Sequence, residues 1–234
     1  MSKELNFITF LYVKDDRFQI FLFDKKNKKN LYNNQLKFKN NLSNIDFVNL
    51  SEFLDDNIYK IEKLLGKFVE NIYLIINLNV NVYTDICIKK KIYNNLIDHK
   101  NLKNTLIDAK DLFKENYQDQ NIIHMLIDNY FIDGEHYSSF RSGLESDYLS
   151  LEIKFISIQN ELILKFTKIF EQYQIRLART LCGHYVKSSL NKNDNDFSEM
   201  AYKIINGHNK NEVLLVPKNI EKHGIFEKFF QIFS

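Results

Sequence analysis

The pair Cys182 and His184 is the first place where the residue types could do chemistry. A thiol becomes a nucleophile when a base lies within hydrogen-bond reach, and here a histidine follows the cysteine two positions later. Residues two apart on a helix point to different sides, so this imidazole would not reach the sulfur. The pattern favours a cysteine packed under a helix and a histidine on the surface.

The remaining reactive side chains show no arrangement that would build a catalytic or metal site. Asp128 and Asp133 flank the end of a predicted strand, and Glu145 and Asp147 lie in a predicted loop, where carboxylates are usually solvated. The six histidines lack the spacing of metal ligands; they are His99, His124, His136, His184, His208 and His223. We therefore expect no catalytic residue, no metal and no cofactor, and we predict that the protein is not an enzyme.

The overall charge gives no reason to expect a nucleic-acid partner. There are 32 basic and 30 acidic residues, which leaves a net charge of +2, whereas nucleic-acid-binding domains usually carry a clear basic excess. The lysine-rich runs at 25–29 and 89–91 are interpreted as solvated surface.

Cysteine content and hydropathy indicate a cytoplasmic location. The two cysteines, Cys87 and Cys182, cannot form a disulfide framework and are typical of a reducing compartment. No signal peptide is recognised after Met1. The longest apolar stretch, Ile72 to Val80, is interrupted by asparagines and is too short to span a bilayer.

The first half of the chain predicts strands and one long helix. Phe7 to Val13 and Phe18 to Phe23 are apolar runs separated by four residues, which predicts an antiparallel hairpin. Asn30 to Phe38 alternates less cleanly and is predicted as an edge strand. Ile72 to Ile76 is predicted as a buried strand.

The predicted helix precedes that last strand. Apolar residues recur at helical spacing from Leu50 to Leu65. Ser51 is the predicted N-cap, and Gly66 fits a C-cap.

The second half alternates strands and helices. Strands are predicted at Val82 to Ile88, Ile122 to Phe131, Tyr148 to Ile158 and Ile175 to Leu181, and helices at Leu106 to Phe113, Gln159 to Tyr173, Cys182 to Leu190 and Phe197 to Asn206. The stretch NKNDND, residues 191–196, is predicted as a linker.

The segment Ile122 to Ser157 resembles the bacterial cell-division protein family FtsA. In that family an apolar strand enters a Tyr-x-x-Asp-Gly turn, followed by a Gly-Leu pair, an alternating strand and an amphipathic helix. The matching positions here are Tyr130, Asp133, Gly134, Gly143, Leu144 and Leu149. Two positions depart from the family pattern, because Arg141 and Ser146 stand where a proline and a second glycine are usual.

The flanking sequence extends this resemblance from about Asn6 to Leu190. It implies an α/β (α+β) protein built on a truncated actin-like, ribonuclease H-like subdomain 1A. Residues 1–80 and 175–190 would form that subdomain, and 81–174 would form the inserted strand-helix-strand-strand subdomain, 1C. A linker, 191–217, and a terminal amphipathic helix, 218–234, would follow.

Both glycine-rich phosphate turns of the actin-like family are missing. Glycine lets backbone N–H groups approach a phosphate, but the first turn reads Lys14-Asp15-Asp16-Arg17, and no two glycines are adjacent anywhere in the chain. The position expected for the second turn holds the NKNDND stretch instead. We therefore predict that the chain neither binds nor hydrolyses ATP.

The second half of the FtsA family also has no counterpart in this sequence. Its absence argues against direct FtsZ binding in the family manner and against actin-like filaments. The resemblance does include the 1C-like surface. In the family this surface implies contacts with other division proteins. Self-association is a further expected mode of interaction.

The C-terminus carries an amphipathic pattern. At 100° per residue, its apolar side chains fall on one side and its polar ones on the other, and basic residues precede it, which is typical of a helix in a membrane interface. The predicted membrane-binding residues are Lys218, Lys222, Ile225, Phe226, Lys228, Phe229, Phe230, Ile232 and Phe233. The alternative is a tail that docks on its own domain.

The sequence therefore predicts a membrane-tethered cytoplasmic adaptor of the division machinery. Its partners would be anionic lipids and division proteins, and it would lie on the inner face of the bacterial membrane at midcell. The alternative is a pilus-assembly adaptor, because the pilus protein PilM shares the same broad fold.

Overall fold

A computed structural model describes residues 6–38, 45–93, 96–189 and 196–214. These residues form two units. The five-stranded unit contains the described residues of 1–81 and 161–206, and the four-stranded unit contains those of 82–160 and 207–214.

The hairpin predicted at the start of the chain is present. Strands β1 (Phe7–Lys14) and β2 (Arg17–Asp24) pair in antiparallel register across the turn Asp15-Asp16, and β3 (Lys29–Lys37) lies beside β2 at the sheet edge. The uninterrupted apolar runs of β1 and β2 are buried on both faces, as expected of strands at the centre of a covered sheet.

Helix α1 (Phe47–Leu65) begins earlier than the sequence predicts. Its N-cap is Asp46, whose carboxylate accepts the N–H groups of Val48 and Asn49, so Ser51 was the wrong N-cap. The helix ends at Gly66 with φ of +66°, which confirms the predicted C-cap. A residue with a side chain would be strained at this left-handed position.

Two parallel strands complete this sheet. Strand β4 (Asn71–Asn77) pairs with β1, and β9 (Arg176–Cys182) pairs with β4, giving the order β3-β2-β1-β4-β9. Helix α1 packs on one face, and α4 (Gly183–Ser188) and α5 (Phe197–Ile205) cover the other. The sheet is therefore a core layer between helices.

The four-stranded unit is an antiparallel sheet with one helix. Its strands are β5 (Val82–Lys91), β6 (Gln120–Ile132), β7 (Glu135–Tyr137) and β8 (Tyr148–Gln159), in the order β5-β8-β6-β7. Helix α2 (His99–Asn116) packs on one face. The predicted α/β class is confirmed: the protein is a mixed α/β chain whose five-stranded unit is interrupted in sequence by a strand-helix-strand-strand-strand unit.

The unit boundaries differ from the expected ones at helix α3 (Asn160–Gln172), which the family resemblance assigned to the insertion. It belongs to the five-stranded unit. Phe166 packs edge-on against Phe47 at the start of α1. Just after the helix, Tyr173 donates its hydroxyl to Asp55 at 2.7 Å, and burial together with that carboxylate raises the pKa of Tyr173 to about 12.

The stretch 191–217, expected to be a linker, also contains ordered structure. Helix α5 places Met200, Ala201 and Ile204 in the core of the five-stranded unit, and residues 211–213 join the four-stranded sheet. The helix predicted at Phe197 to Asn206 is therefore present as α5, whereas the pairing of residues 211–213 was not predicted. Within the described ranges, no helix is both long and apolar enough to cross a membrane.

Candidate functional site

The turn between β1 and β2 stands where the resemblance places a phosphate turn. Lys14 Nζ lies 3.3 Å from Asp15 Oδ1 and 3.0 Å from Asp16 Oδ2. Burial opposes ionisation of Asp16, but its hydrogen bond with Lys14 and the charge of Arg17 outweigh that effect and lower its pKa. The cations that could attract a phosphate are thus already paired with carboxylates, which would repel one.

The carboxyl ends of β1, β4 and β9 lie along this same edge, because the three strands are parallel. Here Asn77 donates its side-chain amide to the Tyr12 hydroxyl at 2.8 Å. A Cβ added to Gly183 would lie 2.5 Å from the Asn77 Cβ. Glycine at this strand-to-helix junction therefore serves the close packing of β4 against α4.

Cys182 and His184 do not form a reactive pair. The cysteine is fully buried, and the Asn81 side chain donates to its Sγ at 3.3 Å. The histidine is exposed on α4. The sequence interpretation of these two residues is confirmed.

The family-motif residues come together at one end of the four-stranded sheet, beginning with the turn at Asp133 and Gly134. Both have positive φ, +49° and +88°, between β6 and β7. Asp133 accepts the N–H groups of Tyr148 at 2.8 Å and Asp147 at 3.2 Å. Burial opposes ionisation, but these hydrogen bonds prevail and lower the pKa of Asp133, so this carboxylate fixes the start of β8.

The other motif residues hold the long loop before β8. Gly143, with φ of +81°, donates its N–H to Ile97 O at 2.7 Å, and Ile97 donates back to Leu144 O at 2.9 Å. Leu149 and Tyr130 are buried in the core beside this loop, and burial raises the pKa of Tyr130. All six motif residues therefore shape the scaffold of this unit.

The four-stranded sheet has a polar face on the side away from helix α2. Along β8 the core residues Leu151 and Ile153 alternate with Glu152 and Lys154, which therefore point the other way. We define the polar face by Asp85, Asp128, Asn129, Glu152 and Lys154.

The side chains of the polar face bind one another. Lys154 lies 2.5 Å from Asp128 and 4.0 Å from Asp85, and the hydrogen bond to Asp128 raises its pKa above the usual lysine value. Asn129 donates to Glu152 at 2.6 Å. Asp128, one of the carboxylates weighed above as a catalytic candidate, is thus an ion-pair partner within a charged surface suited to a protein partner.

One buried pair was not predicted from the sequence. His124 Nδ1 lies 2.7 Å from Glu212 Oε1, and both side chains are fully buried. The backbone around Glu212 bonds to β6: Ile127 donates to Asn211 O, and Val213 donates to Met125 O, both at 2.8 Å. We call residues 211–213 the strap. The short apolar run Val213 to Val216, before Pro217, was the only sequence signal for it.

The predicted membrane-binding residues, 218–233, lie outside the described residues, so their assignment stays a prediction. In the part of the chain that the structure describes, no group of three or more His, Cys, Asp or Glu side chains could hold a metal ion.

Comparison with known proteins gave structural matches only. No family model matches the sequence, and no curated protein matches it. Among solved structures, the cytoplasmic domain of EpsL, an inner membrane component of the type II secretion system of Vibrio cholerae, is similar at 10% identity with a TM-score of 0.37. That match covers 77% of this chain and 58% of EpsL.

Two further solved structures show comparable similarity. A Bacteroides thetaiotaomicron protein with an actin-like ATPase fold matches at 13% identity and a TM-score of 0.35, over 78% of this chain and 55% of that one. The PilM–PilN type IV pilus biogenesis complex matches at 8% identity and a TM-score of 0.45, over 79% and 49%. The chain spans about half the length of these proteins.

Proposed function

We propose that this protein is a nucleotide-free, non-enzymatic adaptor that tethers an interaction surface to the cytoplasmic face of the bacterial membrane and serves the division machinery. The observation that carries the proposal is the β1–β2 turn. Its two carboxylates are paired with Lys14, at the point in the chain where the resemblance would place a phosphate turn. A protein with this fold and this turn is better suited to binding proteins than to phosphate chemistry.

Titration with a fluorescent ATP analogue, with and without Mg²⁺, tests the proposal that the protein does not bind nucleotide. We expect no saturable binding at concentrations up to the millimolar range. Saturable binding that unlabelled ATP displaces would overturn this part of the proposal.

Membrane attachment is assigned to the C-terminal tail. A helix of about ten residues is marginal in water and gains its stability on burying its apolar face. Its binding should therefore be weak and reversible. The double substitution Phe229→Glu/Phe230→Glu should abolish co-sedimentation with anionic vesicles, whereas equal pelleting of both chains would contradict the assignment.

The polar face is the proposed contact for division proteins. Charged residues across an interface set specificity and association rate. Exchanging Glu152 and Lys154 for alanine should prevent midcell localisation of a tagged copy without loss of vesicle binding. A matched control exchanges Lys114 and Glu115, which are exposed on α2, and should localise normally.

Localisation also separates the two adaptor classes. Bands at midcell support a role in division. Association with the pilus machinery instead would favour a PilM-like adaptor, and diffuse fluorescence would contradict both.

A further inference from the structure

The five-stranded unit contains a groove at the amino ends of β1 and β4, away from the turn at Lys14. Its volume is about 270 Å³. The apolar part of its lining comes from the start of both strands, the end of α1 and the end of α5, and includes Phe7, Leu65, Tyr73 and Ile205. The groove thus offers an open surface within one unit, with an apolar part beside polar and charged side chains.

Phe68, between α1 and β4, also lines this groove. Its side chain is 81% exposed, more than any other large apolar side chain in the described part of the five-stranded unit, and Leu64 nearby is 52% exposed. Single exposed apolar residues are ordinary on protein surfaces. An exposed phenylalanine beside an apolar groove instead enlarges one continuous apolar surface.

Lysines surround this apolar surface. Lys25 and Lys67 line the groove itself. The β2–β3 turn adds Lys26, Lys28 and Lys29, and the last turn of α1 adds Lys63.

The carboxylates nearby are fewer. Glu70 lines the groove. Asp24 accepts the N–H groups of Lys26 and Asn27 in the β2–β3 turn, and Glu62 accepts the N–H of Val69 at 3.0 Å. Two lysines and one carboxylate therefore line the groove, and four more lysines lie in the adjoining turn and helix end, where Asp24 and Glu62 are bound to backbone N–H groups. This excess of basic residues favours an anionic ligand.

We propose that this groove is a second membrane contact that takes an anionic phospholipid of the bilayer surface. Phe68 and the apolar lining accommodate acyl chain, while Lys25 and Lys67 lie against headgroup phosphate. The combination of basic residues with an exposed aromatic side chain is that of interfacial membrane binding. This inference rests on the proposed function, because the tail brings the chain to the membrane.

A second contact also solves a physical problem. One short amphipathic segment binds a bilayer weakly, and stable residence generally requires two signals. Two weak contacts on one chain bind far more tightly together than either does alone. The groove supplies the second contact without another protein.

A tryptophan reporter tests where Phe68 lies. The chain contains no tryptophan, so Phe68→Trp introduces a single fluorophore into the full chain. With vesicles of phosphatidylglycerol and phosphatidylcholine, we expect a blue shift and strong quenching by brominated acyl chains. Tyr93→Trp is the control, since Tyr93 is 86% exposed in the four-stranded unit, and it should not be quenched. Absence of quenching at Phe68, or equal quenching at both positions, would overturn the proposal.

Charge reversal tests the lysines and separates the groove from the tail. Lys25→Glu/Lys67→Glu should lower the vesicle partition coefficient about tenfold, whereas Lys114→Glu/Lys168→Glu, with the same charge change on exposed helix positions, should have at most a twofold effect. If both double variants lost the same share of vesicle binding, the groove proposal would be wrong but the proposed function would stand. Unchanged binding of the Phe229→Glu/Phe230→Glu chain would instead overturn the proposed function.

A soluble polyglutamate peptide distinguishes a lipid from an acidic protein ligand. We expect no binding of this peptide to the full chain that depends on Lys25 and Lys67. If the peptide binds and the two substitutions abolish its binding while leaving vesicle binding intact, the groove is a peptide site and the lipid assignment is wrong.

Discussion

At the residue scale, the contact between Gly183 and Asn77 has the least room for change. Gly183→Ala would force a new Cβ to within 2.5 Å of the Asn77 Cβ and 3.1 Å of its Cα. Backbone must shift to relieve this overlap, and overpacking of this kind costs about 1–3 kcal/mol. We expect that loss in the free energy of unfolding, measured by urea denaturation. Lys187→Ala, at an exposed position of α4, should change it by less than about 0.5 kcal/mol.

The buried His124–Glu212 pair makes a second residue-scale prediction. Removing one partner takes away a hydrogen bond between two fully buried side chains, at a cost of about 1–3 kcal/mol. Glu212→Leu and His124→Phe should each destabilise the protein strongly. The double substitution should be less destabilising than the sum of the two, in a double-mutant cycle by chemical denaturation. Additive effects would mean that the pair contributes no coupling.

Sequence reasoning about single residues succeeded where the neighbours were local. Cys182 and His184 are two residues apart, and the sequence argument correctly separated them, although Cys182 ends β9 and only His184 lies on α4. His124 and Glu212 lie 88 positions apart, and no local pattern links them. A buried hydrogen-bonded pair between distant segments depends on the assembled sheet, so it could be found only in the structure.

At the element scale, hydrophobic periodicity predicted nearly every strand and helix. The runs that became β1, β2 and β4 are apolar because both faces of the sheet are covered, and this made them easy to recognise. The start of α1 was harder to predict, since Ser51 and Asp46 are both good capping residues. The helix begins at Phe47 because that side chain packs against Phe166 of a distant helix, a contact that the local apolar pattern from Leu50 to Leu65 does not show.

The cap of α1 therefore gives the element-scale prediction. Asp46→Ala should lower the stability of the protein, whereas Ser51→Ala, inside the helix, should have little effect. Backbone hydrogen bonds from Asn49 and Val48 lower the pKa of Asp46 in the folded state. Its contribution is therefore present above the unfolded pKa of about 3.9 and is lost as pH falls through the lower folded value.

Measuring the wild type and Asp46→Asn across this pH range tests the predicted direction of the pH dependence of stability. Denaturation of the wild type and of Asp46→Asn should converge in acid, since asparagine keeps the cap but not the titration. A stability difference between them that does not change with pH would contradict the assignment.

At the scale of the whole molecule, the order of elements was predictable but their division between units was not. Helix α3 follows β8 directly in sequence, so it was grouped with the insertion, whereas Phe166 and Tyr173 attach it to α1. The polar stretch 191–196 suggested an end to the fold, and the apolar positions of α5 and the strap lie beyond it. Long-range contacts decide membership of a unit, and a single sequence does not display them.

Truncation separates the strap from the tail. A chain ending at Leu214 keeps Glu212 and Val213 and should unfold at the same urea concentration as the full chain, but should not sediment with vesicles. A chain ending at Asn206 loses the strap and should be destabilised, because β6 then carries an uncovered edge and His124 has no Glu212. Equal stability of the two truncations would contradict the role of the strap.

The strap also fixes a mechanical route through the chain. Residues 211–213 follow the five-stranded unit in sequence yet bond to β6 of the other unit. Tension applied beyond Leu214 therefore reaches the four-stranded unit first, where two backbone hydrogen bonds and the buried His124–Glu212 pair resist it. While these bonds hold, the segment 207–210 between α5 and the strap carries none of that tension.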